Sequence, residues 1–206
     1  EINSLHYYTN HTTLYVPDTI FSFYSPYLFN NGSLLFSLAN AKQHAVSWKF
    51  TGQQYLFGYR QGDVRYLMMA AKKLNNRNGR IEAWMLEEYS TPSYGLQYYT
   101  SSRYQWYNNF SKINTFKLHG ALVLESINMR VEGSYGVITN MIYFDEMALP
   151  RQADGALNVL SVGITKAQKL WKFKTLTRLM YQKTDRDDIV HIPTLSGAET
   201  VFFEHN

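Results

Sequence analysis

Apolar and polar side chains alternate with a period of two along much of this chain. The clearest stretch runs from Lys169 to Lys183. Trp171, Phe173, Thr175, Thr177, Leu179 and Tyr181 share one parity, and Lys172, Lys174, Leu176, Arg178, Met180 and Gln182 share the other. Successive side chains of a strand point to opposite faces. The pattern therefore predicts a strand with one apolar face, ended by aromatics, and one polar, basic face. At ~3.3 Å per residue and ~40° of tilt, Trp171 to Tyr181 covers about 25 Å, the height of an outer-membrane apolar band.

The same parity runs from Arg103 to Glu125. Tyr104, Trp106, Phe110, Phe116, Leu118, Leu122 and Leu124 point one way, and Arg103, Gln105, Lys117, His119 and Glu125 the other. A hairpin at Ser111–Ile113 is the alternative, but the unbroken parity favours one long strand. Met129, Val131, Tyr135, Val137, Met141 and Tyr143 continue the pattern against Arg130, Glu132 and Ser134, and Val46, Trp48 and Phe50 oppose Ser47, Lys49 and Thr51. No window keeps a helical period over three turns; Val64–Leu74 has the apolar content but no caps.

Connections alternate in length. Asn75–Gly79, Ser126–Ile127 and Thr165–Gln168 read as short turns, and Thr91–Thr100, Phe144–Gly155 and Thr184–Pro193 as long loops. Arg60–Asp63 is a short link on the long-loop side. Bacterial barrels show this asymmetry between their two rims. Eight strands are expected from Gln43 onward and two or three before it, about ten or eleven in all. The fold expected is all-β, an antiparallel transmembrane β-barrel. Residues 1–206 would form a single segment of a larger barrel, cut at both ends. A soluble sandwich or propeller fits less well, because its strands are usually ~5–6 residues long.

Composition agrees with a barrel. The 206 residues include 17 Tyr, 12 Phe and 4 Trp, and both water–lipid boundaries of a barrel are lined with such rings. Mean hydropathy is −0.33, so the apolar residues are dispersed among polar ones. The absence of cysteine excludes a thiolate metal site, a Cys nucleophile and a disulfide scaffold. The net charge of +4 is scattered rather than striped, which argues against nucleic acid as a partner.

Several motifs resemble one known family in their order and spacing. They are Gly58-Tyr59-Arg60-Gln61-Gly62-Asp63, Thr91-Pro92-Ser93-Tyr94, the run Tyr98 to Phe110, Tyr143-Phe144-Asp145-Glu146, Pro150-Arg151-Gln152-Ala153, Val159-Leu160-Ser161-Val162, Tyr181-Gln182 and Ile192-Pro193. The chain resembles the putative porins of Bacteroidetes-type bacteria from about Tyr55 onward, and matches weakly before that. Thr100-Ser101-Ser102 departs from the Ser-Asn-His of the family. The resemblance implies an outer-membrane β-barrel longer than this chain and a passive pore.

On this reading Lys117, His119, Arg130, Glu132, Lys172, Lys174 and Arg178 are the candidate pore-lining residues, since charged walls tune which solutes pass. They would equally keep any wet lumen soluble. Trp106, Tyr143, Trp171 and Tyr181 are the candidate lipid-interface aromatics, with Leu118, Leu122, Phe173 and Leu179 facing lipid between them. Asp185-Arg186-Asp187-Asp188 resembles a piece of a calcium loop but lacks the Gly and Glu of an EF-hand, and reads better as a solvated loop. Asp145 and Glu146 read as a structural turn rather than an acid–base pair. No catalytic residue, metal or cofactor is expected. The partners expected are outer-membrane lipid, small hydrophilic solutes and other proteins of an outer-membrane assembly. A non-conducting barrel, serving as scaffold or docking subunit, is the alternative function.

Overall fold

The computed structural model describes residues 6–16, 19–40, 46–74 and 79–203, with side chains from Asn30 onward except Leu170. Two strands, β1 (His6–Val16) and β2 (Thr19–Phe29), pair antiparallel from Val16↔Thr19 to His6↔Phe29. They are not hydrogen-bonded to the main sheet. That sheet is built from β3 (Gly32–Ala39), β4 (Val46–Phe57), β5 (Val64–Lys73) and β6 (Gly79–Ser90), and continues after a long excursion. The excursion holds a single helical turn α1 (Tyr94–Gln97) and a ribbon of β7 (Tyr98–Thr100) with β8 (Gln105–Tyr107). Then come β9 (Ile113–Leu124), β10 (Met129–Thr139), a second ribbon of β11 (Ile142–Phe144) with β12 (Pro150–Gln152), β13 (Ala156–Leu170), β14 (Phe173–Thr184) and β15 (Leu195–Phe203).

The main sheet has nine strands in the order β15-β14-β13-β10-β9-β6-β5-β4-β3, all antiparallel, and does not close on itself. With the β1–β2 hairpin, the long strands fall as the alternation predicts: eight from β4 onward and three before. Val64–Leu74 is strand rather than helix.

Two expectations are corrected. The parity from Arg103 to Glu125 does not form one strand, because residues 105–107 belong to the rim ribbon and the sheet strand starts at Ile113. The intervening loop preserves parity by its length alone, so alternation does not reveal it. The turn expected at Thr165–Gln168 is instead strand, in the second half of β13, with Thr165 opposite Arg178 and Gln168 opposite Thr175. The chain reverses at Trp171-Lys172, where Trp171 takes φ 56°. An aromatic in the left-handed region is uncommon, and without Gly, Asn or Asp at the turn the sequence offers no marker there. The short turn expected at Asn75–Gly79 lies mostly outside the described residues. Near Ser126–Ile127 a 3₁₀ turn, Glu125–Ile127, is ended by Asn128 at φ 49°.

The β4–β5 link and all three long connections lie on one rim. The three long ones are residues 91–112, 140–155 and 185–194. The turns β9–β10 and β13–β14 lie on the other rim.

Almost nothing is enclosed. Among the described residues, the buried apolar side chains are Ala121, Ala153 and Leu157. By contrast Leu34, Phe36, Trp48, Met68, Ile81, Met85, Leu118, Leu122, Leu160, Val162, Ile164, Phe173 and Leu179 stand exposed, all on one face by the strand registers. Leaving roughly ten such side chains in water forgoes on the order of 15–30 kcal/mol. That exceeds the ~5–15 kcal/mol by which a domain is stable. This face therefore requires an apolar surrounding. No described helix is long and apolar enough to cross a membrane.

Within that face, rings pack over glycines. Phe36 covers Gly52 and Phe57 covers Gly32, each occupying the place of an absent Cβ. Phe36 meets Phe50 at 5.7 Å, and Phe50 stacks on Tyr66 at 6.2 Å. Such ring-on-glycine pairs pin register where glycine alone leaves it loose.

Candidate functional site

The opposite face carries most of the charge, although Lys72, Glu87, Lys166, Lys183 and Glu199 share the apolar one by register. Cross-strand register places Lys49, Arg65, Lys73, Arg80, Lys117, Arg130, Lys169, Lys174 and Arg178 on it, against Glu82, Glu88 and Glu132. Six of the seven candidate pore-lining residues lie there: Lys117, His119, Arg130, Glu132, Lys174 and Arg178. Lys172 does not. It sits in the two-residue turn after β13, with Nζ 5.2 Å from the Trp171 ring centre.

Toward the short-turn rim of this face, β6, β9 and β10 carry a connected ion network. Arg130 Nη1 donates to Glu82 at 2.7 Å, and its Nε to Glu132 at 2.8 Å. Arg80 donates to Glu82, and to Glu125 at 2.9 Å. His119 Nε2 lies 3.8 Å from Glu132. The Arg130–Glu82 bridge spans the whole width of β9, because residue 121, between Glu82 and Glu132 in register, is Ala. Ala121 is buried beneath it. Beside the network Trp84 stacks on His119 at 5.1 Å, and Lys117 Nζ stands 5.5 Å over the Trp84 ring. Carboxylates thus occupy Arg80 and Arg130, while Lys49, Lys117 and Arg178 meet none among the described residues.

Sequence reasoning missed a second site, at the long-loop rim. The Asp63 side chain is 1% exposed. Its Oδ1 accepts from the Thr91 backbone N–H at 2.8 Å, the Thr91 hydroxyl at 2.7 Å and Lys112 Nζ at 2.8 Å. Its Oδ2 accepts from Arg60 Nε at 2.9 Å. Arg60 also donates to the Tyr55 hydroxyl at 2.8 Å and lies over that ring, and its backbone N–H donates to Asn31 at 2.9 Å. Gly58, at φ +96°, runs so close to the Asn30 carbonyl that a Cβ has no room. Tyr59 donates to the Pro92 carbonyl at 2.7 Å and accepts from Gln97 at 3.0 Å; burial pushes its phenol above the usual range.

The belt continues along the rim. The Lys112 carbonyl accepts from Asn140, and Gln152 exchanges hydrogen bonds with both backbone groups of Ser111 while also donating to Asn140 O. Arg186 donates to Asp154 O, and Asp185 accepts from Asn158. The motifs Gly58–Asp63, Thr91–Tyr94 and Pro150–Ala153 are thus parts of one hydrogen-bonded clasp. The signal was present in the sequence as an Asp closing a Gly-flanked turn motif.

The loop carboxylates are similarly engaged. Asp145 accepts from the backbone N–H groups of Leu149 and Met147 and from Arg151 at 3.0 Å. The Leu149 amide, then Arg151, hold it below the usual carboxylate range. Arg186 pairs with Asp188 at 3.0 Å, so the acidic run is internally paired. Among the described residues no group of three or more His, Asp and Glu is placed to hold a metal ion.

The four interface aromatics divide. Tyr181 stands 43% exposed on the apolar face, and Trp171 is 76% exposed in the short-turn rim. Trp106 and Tyr143 lie off the main sheet, in the two rim ribbons. Trp106 stacks on Tyr99 at 4.5 Å, meets Phe144 edge-on and donates to Gly95 O. The parity that suggested a place on the lipid face belongs to a ribbon with its own pairing.

A comparison with curated proteins finds no match. A comparison with family models matches residues 4–206 to one described as putative porin, so the likeness also covers the strands before Tyr55. This chain, an antiparallel sheet with one mainly apolar and one mainly charged face, belongs to the putative porin family.

Proposed function

We propose that this chain forms part of the wall of an outer-membrane β-barrel channel through which small hydrophilic solutes diffuse passively. The observation that carries the reading is the division of the nine-stranded sheet. One face is mainly apolar and exposed among the described residues; the other carries most of the charge. Closing such a sheet with the apolar face outward puts that face in lipid and leaves a polar, wet interior. Closure would also pair the free edges of β3 and β15 with further strands. The side chains would sort solutes by size and charge without bond chemistry. Since cations outnumber carboxylates on the inner face, the channel would favour anions.

The test is single-channel recording of the full chain in a planar bilayer under a salt gradient. Stable ohmic steps, with a reversal potential on the anion side, are the expected result. Silence from a correctly folded barrel would refute the channel and leave the scaffold or docking role.

A further inference from the structure

An open groove on the charged face, about 530 Å³, lies over β13, β14 and β15. Gly163, Thr165, Ser196 and Ala198 keep much of its floor low. Thr165, Arg178 and Ala198 lie side by side across the three strands, and Gly163, Met180 and Ser196 form the next row. Gly163 adds no side chain beside Glu132, where a Cβ would come into ordinary contact at 3.4 Å. Into the groove rises Arg178, exposed and engaged by no carboxylate or hydrogen-bond acceptor among the described residues. Its neighbour in the groove, Arg130, is already held by Glu82 and Glu132.

We propose that this groove is a binding station for the oxyanion group, carboxylate or phosphate, of small organic anions crossing the channel. The inference rests on the channel reading and adds a substrate class to it. A guanidinium presents a planar fork that matches two oxygens of a carboxylate or phosphate at once, which a lysine cannot do. The Thr165 and Ser196 hydroxyls line the same groove and supply donors of the right kind. The low floor leaves room for the rest of the solute. A station of this sort holds an anion weakly enough to release it and long enough to favour its entry.

Two readouts separate this inference from the channel itself. In the first, the full chain folded in detergent is treated with the arginine reagent phenylglyoxal, with and without citrate or inorganic phosphate, and labelled sites are read by peptide mass spectrometry. Arg178 should be protected at least fivefold, while Arg103 on the rim ribbon is labelled alike in both. Equal labelling of Arg178 overturns the station whether or not the protein conducts. In the second, citrate and phosphate are added to chloride current in a planar bilayer. Arg178→Gln should raise the half-blocking concentration about tenfold, and Arg178→Lys should fall between. Protection of Arg178 in a silent protein would keep the station and refute the channel. A conducting protein whose block is unchanged by Arg178→Gln would do the reverse. Block by citrate alone identifies carboxylates as the ligand, and block by phosphate alone identifies phosphate groups.

Discussion

Asp63 offers the sharpest test of the rim clasp. Asp63→Asn keeps the shape of the side chain but replaces one acceptor oxygen by an NH₂ group. Turned so that its oxygen still serves Thr91 and Lys112, the amide points its NH₂ at Arg60 Nε, which the carboxylate met at 2.9 Å. Turned the other way, it confronts the Thr91 N–H and Lys112 Nζ with a donor. Removing one partner of a buried pair typically costs about 3–5 kcal/mol. Arg60 and Lys112 keep part of their side chains in water, at 37% and 24% exposure, and Lys112 retains the Gln61 carbonyl. The expected cost is therefore at the lower end, about 3 kcal/mol. The assay is urea unfolding of the full chain in phosphatidylcholine vesicles, followed by tryptophan fluorescence. A double-mutant cycle with Lys112→Met should give a coupling of at least ~1 kcal/mol. A loss below ~0.5 kcal/mol for Asp63→Asn, the range of an ordinary surface change, would refute the clasp as a source of stability.

Gly58→Ala should destabilise the barrel by about 1–3 kcal/mol in the same unfolding assay, because φ +96° and the Asn30 carbonyl both oppose a side chain there. Ala121→Leu should cost about 1–3 kcal/mol by forcing bulk under the Arg130–Glu82 bridge; an unchanged midpoint would mean the bridge does not depend on the small residue. Asp145 has a folded-state pKa below its unfolded value. Its contribution to loop order is therefore present above the unfolded pKa and lost as pH falls through the depressed folded one. Hydrogen exchange at Met147 and Leu149 should stay slow through the ordinary aspartate range and quicken only below it, whereas Asp145→Asn should quicken it at neutral pH.

The strands were legible in the sequence because alternation is a local property. Parity placed Lys117, His119, Arg130, Glu132, Lys174 and Arg178 together on one face and Leu118, Phe173 and Leu179 on the other. It failed where a side chain's surroundings depend on connection geometry. Trp106 shares the parity of Leu118 but belongs to a separate ribbon, and Lys172 shares the parity of Lys174 but sits in a turn that no turn-forming residue marks. The Asp63 clasp was illegible for another reason. Its members Asn31, Thr91 and Lys112 come from loops far apart in the chain, and only folding brings Thr91 and Lys112 to the Asp63 carboxylate and Asn31 to the Arg60 N–H. The motif that carried the family resemblance is the centre of this clasp, so the likeness was visible before its physical reason.

Within the main sheet, every strand pairs with the next one along the chain, skipping only the short rim ribbons. With so few side chains enclosed among the described residues, this makes the hairpin the unit of change. Inserting or deleting one would alter the width of the sheet while leaving the packing of the others intact, since each hairpin has its own apolar face and its own polar face. In the proposed channel, pore width, which grows with strand number, would therefore vary by duplication of a small segment. A soluble domain, whose interior must be refilled at every insertion, has no comparable freedom.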